Sequence, residues 1–382
     1  MARDLIAIAH PVRRSSAWEP AIGRPMLNGL QRSCRSNSMN AIVRAIDVGF
    51  GYTKYTTGGT AADIRCASFP SLACLSTRDP SASLGAERRR TFAIPIKSVF
   101  YEVGPDVVLA GDGFRATQIH HRYIDTPEYL ALARGAMRAM KVEHIDLLVV
   151  GLPVATFAAD KAALEKLMTG RHDVGGGKAV QVRKALAMAQ PHGALIDYAD
   201  QHDRVLAMQD EQSLVIDPGS RTFDWLVARG MKLSHKRSHS VDRGVADILN
   251  LIADDVSVEI GSTYTGLDSI DHALRTGKAL NVYQKTYQLS RMRPMVESIA
   301  RQAVAAMMRR IGPAYDVRNV ILVGGGAFLF RKAVKQAFAS HEVLEVKEPM
   351  FANVRGYQIA GSNHVAAATP GAGVVAAEGG RA

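Results

Sequence analysis

Blocks of apolar positions, each closed by glycine or proline, recur along most of the chain. Residues 41–48 (AIVRAIDV) form a nearly continuous apolar run that stops at Gly49-Phe50-Gly51. That pattern predicts a buried strand ending in a turn, with residues 52–57 as its hairpin partner. Residues 127–140 (PEYLALARGAMRAM) place apolar side chains at helical spacing, with Pro127 in the first turn. Residues 144–152 (HIDLLVVGL) are unbroken and apolar, closed by Gly151 and Pro153, and predict a central buried strand. Residues 161–168 read as helix, and 174–178 (VGGGK) as a glycine turn between two short strands. Residues 213–216 predict another strand, ending at Asp217-Pro218-Gly219, with 222–227 as its partner. Residues 240–253, 270–274 and 331–339 read as helices, and 289–311 as a long amphipathic one. Residues 320–323 form a strand running into Gly324-Gly325-Gly326, and 353–362 open a closing helix.

Strands and helices alternate, which predicts an α/β fold with largely buried sheets. Ile46-Asp47-Val48-Gly49 and Ile216-Asp217-Pro218-Gly219 share one pattern, and each precedes a second short strand. A repeat of this kind, about 170 residues apart, predicts two similar domains facing each other. Residues 1–39 differ from the rest. They hold six arginines against Asp4 and Glu19, three prolines, and no apolar periodicity. Their longest apolar stretch is too short for the core of a signal peptide. We read 1–39 as a disordered or non-native extension, with Met39 as the working start and a transit peptide as the alternative. An intact mass of natively expressed protein tests this, and a full-length mass refutes it. The glycine- and alanine-rich end, 373–382, is expected to fray.

Composition adds exclusions. With 47% hydrophobic and 22% charged residues the 382-residue chain is neither disordered, collagen-like nor a coiled coil. No apolar run approaches the roughly 18–20 residues of a membrane span. Cys34, Cys66 and Cys74 are sparse and lack a CxxC pair, which predicts reduced thiols in a cytoplasmic protein and no zinc site. The net charge of +11 suggests an anionic ligand or nucleic acid. No basic stripe interleaved with aromatics accompanies it, so direct sequence-specific reading of nucleic acid is not expected.

The turns carry the chemistry. A strand that ends in a glycine turn aims backbone N–H groups at one spot and binds anions such as phosphate. Gly49 and Gly51 admit a close backbone approach, and Lys54 adds a mobile cation. Asp47 would repel a bare phosphate, so its position makes sense with Mg²⁺ and its waters lying between them. Asp217, Gly219, Ser220, Arg221 and Thr222 repeat this logic. Gly324, Gly325 and Gly326 offer a surface free of side chains to a base or ribose. Singly, each turn is as readily a tight turn and nothing more; three in order are harder to dismiss. The dinucleotide fingerprint GxGxxG lacks its third glycine here, and the P-loop pattern GxxxxGK[ST] is absent.

With those residues in place, the chain resembles the actin-like ATPase superfamily. IDVGFGYTK (46–54) and IDPGSRTFDW (216–225) look like its two phosphate hairpins. DLLVVGLPV (146–154) and ANVRGYQIAG (352–361) look like its connecting segments, and ILVGGGAFLF (321–330) like its adenosine segment. The nearest branch is the plasmid-segregation ParM/StbA type. DVGFGYTK, VVGLPV, QPHGAL and DPGSRTFDW are similar to the protein D family of PRTRC gene clusters. The resemblance implies a duplicated, ribonuclease H-like two-domain fold with a nucleotide cleft between the domains. Domain I would be 40–192, closed by a helix over 353–372, and domain II 193–352.

It also implies roles. Asp47 and Asp217 would hold Mg²⁺, with Asp217 also catalytic. Gly49, Gly51, Tyr52, Thr53, Lys54, Gly219, Ser220, Arg221 and Thr222 would surround the phosphates of ATP or ADP, and Gly324, Gly325 and Gly326 would lie against the adenosine. Gln190, in QPHGAL, would orient the attacking water, since phosphoryl transfer needs mainly positioning and charge stabilisation; its bland reading is a surface loop residue. Ser220-Arg221 departs from the second glycine of many relatives, and Arg221 either meets phosphate or faces solvent. The implied activity is ATP hydrolysis coupled to filament formation, serving plasmid or mobile-element segregation. The implied partners are further copies of the chain and a DNA-binding adaptor, with no membrane. The alternatives are a sugar or metabolite kinase on the same fold, with Asp197 or Asp224 as base, and a non-hydrolysing scaffold switched by nucleotide.

Overall fold

The computed structural model describes residues 41–60, 63–76, 89–110 and 122–368. The expected extension over 1–39, most of the loop over 76–90, the frayed end and Cys34 lie outside the described residues. So does the far end of the closing helix.

Two mixed sheets share one plan. The first contains β1 (Val43–Val48), β2 (Tyr52–Thr60), β3 (Asp63–Pro70), β4 (Leu147–Leu152) and β5 (Ala185–Ala189), in the order β5-β4-β1-β2-β3. The β1-β2-β3 meander is antiparallel, while β4 and β5 run parallel to β1. The second sheet contains β6 (Gln212–Pro218), β7 (Phe223–Arg229), β8 (Asn319–Leu322) and β9 (Val343–Glu345). Here β6-β7 is the antiparallel hairpin, and β8 and then β9 add in parallel beside β6. Lys232–Leu233 extends the far side of β7. The repeated Asp-x-Gly signature thus marks a repeated sheet.

Eight α-helices are described: α1 (Pro127–Ala139), α2 (Phe157–Met168), α3 (Gln190–Gln201), α4 (Val245–Ile260), α5 (Leu267–Thr276), α6 (Arg293–Ile311), α7 (Ala327–Ala337) and α8 (Ala352–Ala368). At the start of α1 the Thr126 side chain accepts a hydrogen bond from Tyr129 N–H, and Pro127 occupies a first-turn position where no donor is needed. Every residue of β4 is buried, as its continuous apolar run predicts for a central parallel strand. Among the described residues no helix is long and apolar enough to cross a membrane.

Two expectations are corrected. The run 144–152 is not one strand. Asp146 interrupts it, its Oδ2 accepting from Ile42 N–H at 2.8 Å. His144–Ile145 pairs instead with Ala179–Val182 in a small sheet that includes the predicted glycine hairpin. The helix expected over 240–253 begins only at Val245, because His239–Val241 is a strand against β7 and Gly244 opens the helix. The edge strand β3 and the hairpin Phe92–Ile96/Val99–Val103 were not foreseen; their burial is mixed and leaves no clean alternation.

The helices α3 and α8 link the two halves. They cross so closely that a Cβ on Gly356 would stand 1.8 Å from the Gly193 carbonyl oxygen. Beyond the crossing, α8 returns to the first sheet. Val354, Tyr357, Ile359 and Ala360 share a core with Val43 and Ala45 of β1 and Leu147 and Val149 of β4.

Candidate functional site

Each hairpin turn closes in the same way. Gly49 N–H donates to Tyr52 O (3.2 Å), and Gly219 N–H to Thr222 O (2.8 Å). The two turns meet: a Cβ on Gly51 would lie 2.9 Å from Ser220 Cβ. The second turn is braced from behind by the start of α4, where Val245 N–H and Ala246 N–H donate to Gly219 O (3.1 Å) and Ser220 O (2.7 Å). The triple glycine packs on the same strand end. Gly324 has φ +84°, and a Cβ there would stand 2.0 Å from Asp217 Oδ1. Gly326 N–H donates to Pro218 O at 3.0 Å, and Arg275 Nη1 to Gly325 O at 2.8 Å.

The two aspartates occupy equivalent places near the ends of β1 and β6. Asp47 is fully buried and Asp217 nearly so. Lys54, directly across the hairpin from Asp47, donates from Nζ to Asp47 Oδ2 at 2.9 Å. Gln190, the first residue of α3, donates from Nε2 to Asp47 Oδ1 at 2.7 Å. Asn353, in the first turn of α8, donates from Nδ2 to Asp217 Oδ2 at 2.7 Å. Each carboxylate is therefore held by an amide from the opening turn of a linking helix. In both helices that amide lies three residues before the glycine of the crossing, in Gln190-Pro191-His192-Gly193 and Asn353-Val354-Arg355-Gly356.

The two halves differ opposite the aspartates. Lys54 faces Asp47, whereas Asp224 faces Asp217. Burial disfavours the Lys54 ammonium, but attraction to Asp47 and Asp217 outweighs it and holds its pKa above the ordinary value. Burial raises the Asp217 carboxyl, and Lys54 and Asn353 only partly restore it. Burial pushes Asp224 up to about 7, although Ser240 Oγ and Thr222 Oγ1 (2.5 Å) both donate to it and Asp217 adds like-charge repulsion. Beneath the aspartates, burial lifts the Tyr357 hydroxyl well above its ordinary value and pushes His192 down to about 4. Three buried side-chain atoms here have no hydrogen-bond partner: Asn353 Oδ1, Tyr357 Oη and His192 Nε2.

This donor set fits a hard divalent ion beside a polyphosphate. Two buried carboxylates share one lysine, and a spare amide oxygen lies next to them. Among the described residues no group of three or more His, Cys, Asp or Glu side chains can hold a metal alone. An ion at Asp47 and Asp217 would thus complete its shell with water and phosphate, the usual habit of Mg²⁺.

Most of the residues singled out in the sequence converge here: Asp47, Gly49, Gly51, Lys54, Gln190, Asp217, Gly219, Ser220, Thr222, Gly324 and Gly326. Gln190 is a helix residue on Asp47, not a surface loop residue. Others stand apart. Tyr52 is exposed, and the buried Thr53 bonds Ser71 through its hydroxyl at 2.9 Å. A Cβ on Gly325 would meet only the Arg275 guanidinium, at 3.9 Å. Arg221 neither faces a carboxylate of the site nor hangs free. Its guanidinium lies over the Phe50 ring, 4.9 Å from the centroid, and 3.7 Å from Asp242. Phe50 stacks in turn on Tyr123 at 4.7 Å, and the cation–π contact of Arg221 with Phe50 joins the two turns. Asn353, Tyr357 and Phe50 were missed as site residues. For Asn353 the signal was present, as an amide three residues before a glycine at the start of both α3 and α8.

Residues 45–193 match the family model for the N-terminal domain of actin like proteins, and 215–336 that for the C-terminal part of archaeal actin homologues, MreB-like. Together these cover well over half of the chain. The chain belongs to the actin-like family. Solved actin-like structures agree in fold. Ta0583, an archaeal actin homolog, superposes with a TM-score of 0.70 at 22% identity, over 85% of this chain and 99% of that one. The same archaeal protein has been solved in complex with ADP. The apo pSK41 ParM protein gives 0.61 at 20% identity over 86% and 98%. A ParM from a 15-stranded filament of Clostridium botulinum gives 0.65 at 16% identity over 84% and 98%. Among curated proteins none is similar enough to count as a match.

Proposed function

We propose that this actin-like protein binds ATP between its two hairpin turns, hydrolyses it, and assembles with further copies into filaments. The observation that carries the reading is the pair of equivalent buried aspartates, each tied to a helix that links the two halves. Residues 40–192 and 193–352 act as the two domains, and 353–372 closes the first. Gly49, Gly51, Tyr52, Thr53 and Lys54 from one side, and Gly219, Ser220, Arg221 and Thr222 from the other, cradle the phosphates. Gly324, Gly325 and Gly326 lie against the adenosine. Asp47 and Asp217 hold Mg²⁺ through its waters, and the ion supplies charge neutralisation at the phosphates. Gln190 orients the attacking water. Because Gln190 and Asn353 grip the two carboxylates from the linking helices, a change at the phosphates reaches the crossing of those helices directly. The solved ADP complex of one relative and the filament of another support nucleotide use and self-assembly.

The cellular role we infer is cytoplasmic: segregation or maintenance of a plasmid or mobile element, of the ParM/StbA and PRTRC protein D type, through a DNA-binding adaptor. The kinase alternative loses one of its bases. Asp197 is clamped by Arg355, from Nε (2.9 Å) and Nη2 (3.0 Å), and is spent as an ion pair. Light scattering with phosphate release under Mg-ATP tests the proposal on the parent and on Asp217→Ala. Polymer and release in the parent, both lost in the variant, are expected. Release without polymer favours a metabolic enzyme, and polymer in the variant without nucleotide refutes the ATP-driven mechanism.

A further inference from the structure

The basic excess of the folded part is concentrated in one place. Outside residues 1–39 the chain carries a net charge of +7. The packed pair α6 and α7 alone holds seven Arg or Lys (Arg293, Arg301, Arg309, Arg310, Arg331, Lys332, Lys335) against the single acid Glu297. All seven are exposed. Glu297 sits at the seam, 3.7 Å from Arg301 and 2.7 Å from Lys332. Arg293, Glu297 and Arg301 follow one another at a spacing of four along α6, and Arg309, eight residues further on, has turned about 80° more round the helix. Arg331 reaches Glu345 at 2.6 Å. Among the described residues Arg309, Arg310 and Lys335 form no ion pair. Between these cations the exposed side chains include only Met295 among the large apolar types.

We propose that the exposed face of α6 and α7 binds the phosphate backbone of duplex nucleic acid without reading its sequence. The cores of protein–protein interfaces are depleted in charge and enriched in aromatic anchors, the reverse of this face. A polyanion needs only a row of cations, from which it gains by releasing its counterions. At 19 residues α6 is about 28 Å long, enough to meet several phosphates. The face lies outside the nucleotide site, so the inference stands or falls independently of ATP.

The test is fluorescence anisotropy of a labelled 30-base-pair duplex of arbitrary sequence against the full chain, without nucleotide and with EDTA, over a series of KCl concentrations. The seven cations less Glu297 and Glu345 leave about five net charges, which at roughly 0.9 per phosphate contact give a log–log salt slope approaching −4.5. Arg309→Gln/Arg310→Gln/Lys335→Gln leaves both Glu297 pairs intact. It is expected to flatten the slope by about 3 and weaken binding roughly a hundredfold near 0.1 M salt. The charge-conserving Arg309→Lys/Arg310→Lys/Lys335→Arg should bind like the parent, which separates charge from folding. Unchanged binding by the neutral variant overturns the proposal. So does loss of binding on replacing the six arginines of residues 1–39 by glutamine. Displacement of the duplex by polyglutamate as effectively as by unlabelled duplex would assign the face to an acidic protein and equally overturn it.

Discussion

Lys54→Met isolates the electrostatics of the site. Lys54 Nζ lies 2.9 Å from Asp47 Oδ2, with side-chain exposures of 17% and 0%. Methionine fills similar space but leaves Asp47 buried without its cation and deprives Asp217 of the charge that restrains it. Breaking a buried pair by removing one partner costs about 3–5 kcal/mol. The slight exposure of Lys54 and the remaining Gln190 bond to Asp47 favour the lower end, about 3 kcal/mol. At roughly 2–3 °C per kcal/mol, the nucleotide-free variant should melt about 6–9 °C below the parent at pH 8. Asp47→Asn added to Lys54→Met removes the stranded charge and should recover most of that loss, a coupling visible only through the double variant. The deficit should also depend on pH. The Asp217 carboxyl already titrates above its ordinary value, and without Lys54 it rises further. The folded variant therefore gains stability by taking up a proton as pH falls, and the gap to the parent narrows toward pH 5. Thermal melts of the parent, the single and the double variant at pH 5, 6.5 and 8 decide the matter. A single variant that melts within about 1–2 °C of the parent, or a double no more stable than the single, refutes the assignment of Lys54 as the neutralising cation.

Two further outcomes follow from the same site. Gly324→Ala places a Cβ 2.0 Å from Asp217 Oδ1 at a backbone angle of φ +84°, so a fluorescent ATP analogue should fail to bind and melting should drop; unaltered analogue binding counts against the glycine turn as part of the site. In the parent the Asp224 carboxyl titrates near pH 7, well above the unfolded carboxylate range, so its contribution is fully present below about pH 4 and is lost as pH rises through 7. Urea titrations of the parent should fall in stability between pH 5 and 8 by up to a few kcal/mol, and those of Asp224→Asn should be flatter; identical pH profiles sink the reading of Asp224 as a proton-holding carboxyl.

The hairpins were legible because a strand that ends in Asp-x-Gly needs only local sequence to declare itself, and it did so twice. Their meeting at Gly51 and Ser220 was not, since nothing local to either turn encodes the other. Gln190 was found as a site residue through a resemblance, and its partner Asp47 stands 143 positions away. Asn353 went unread although it repeats the spacing of Gln190 ahead of a glycine. The strand His239–Val241 was taken into a helix because its reason for extending, the pairing of Ser240 with Asp224, lies on β7. The edge strand β3 was missed because the alternation begun by Asp63, Ile64, Arg65 and Cys66 lapses at Ala67 and Ser68, which are half-buried like Cys66. The cations of α6 and α7 were counted in the net charge from the start, but only packing brought the two helices side by side and Arg301 and Lys332 together at Glu297.

The return of α8 to the first sheet has a consequence for biosynthesis. Among the described residues, Val43 and Ala45 of β1 leave the ribosome early, and side chains that cover them, Val354 to Ala360, leave it late. About 300 residues separate them, or roughly 15–60 s at common elongation rates. During that interval one apolar face of the first sheet lacks most of its cover, with only Ile196 of α3 packed on it from the earlier linking helix. The first half of this chain is thus finished by the last of the described helices, and a nascent or truncated product ending before Ala352 presents a largely open hydrophobic sheet face to chaperones and to its neighbours on the polysome.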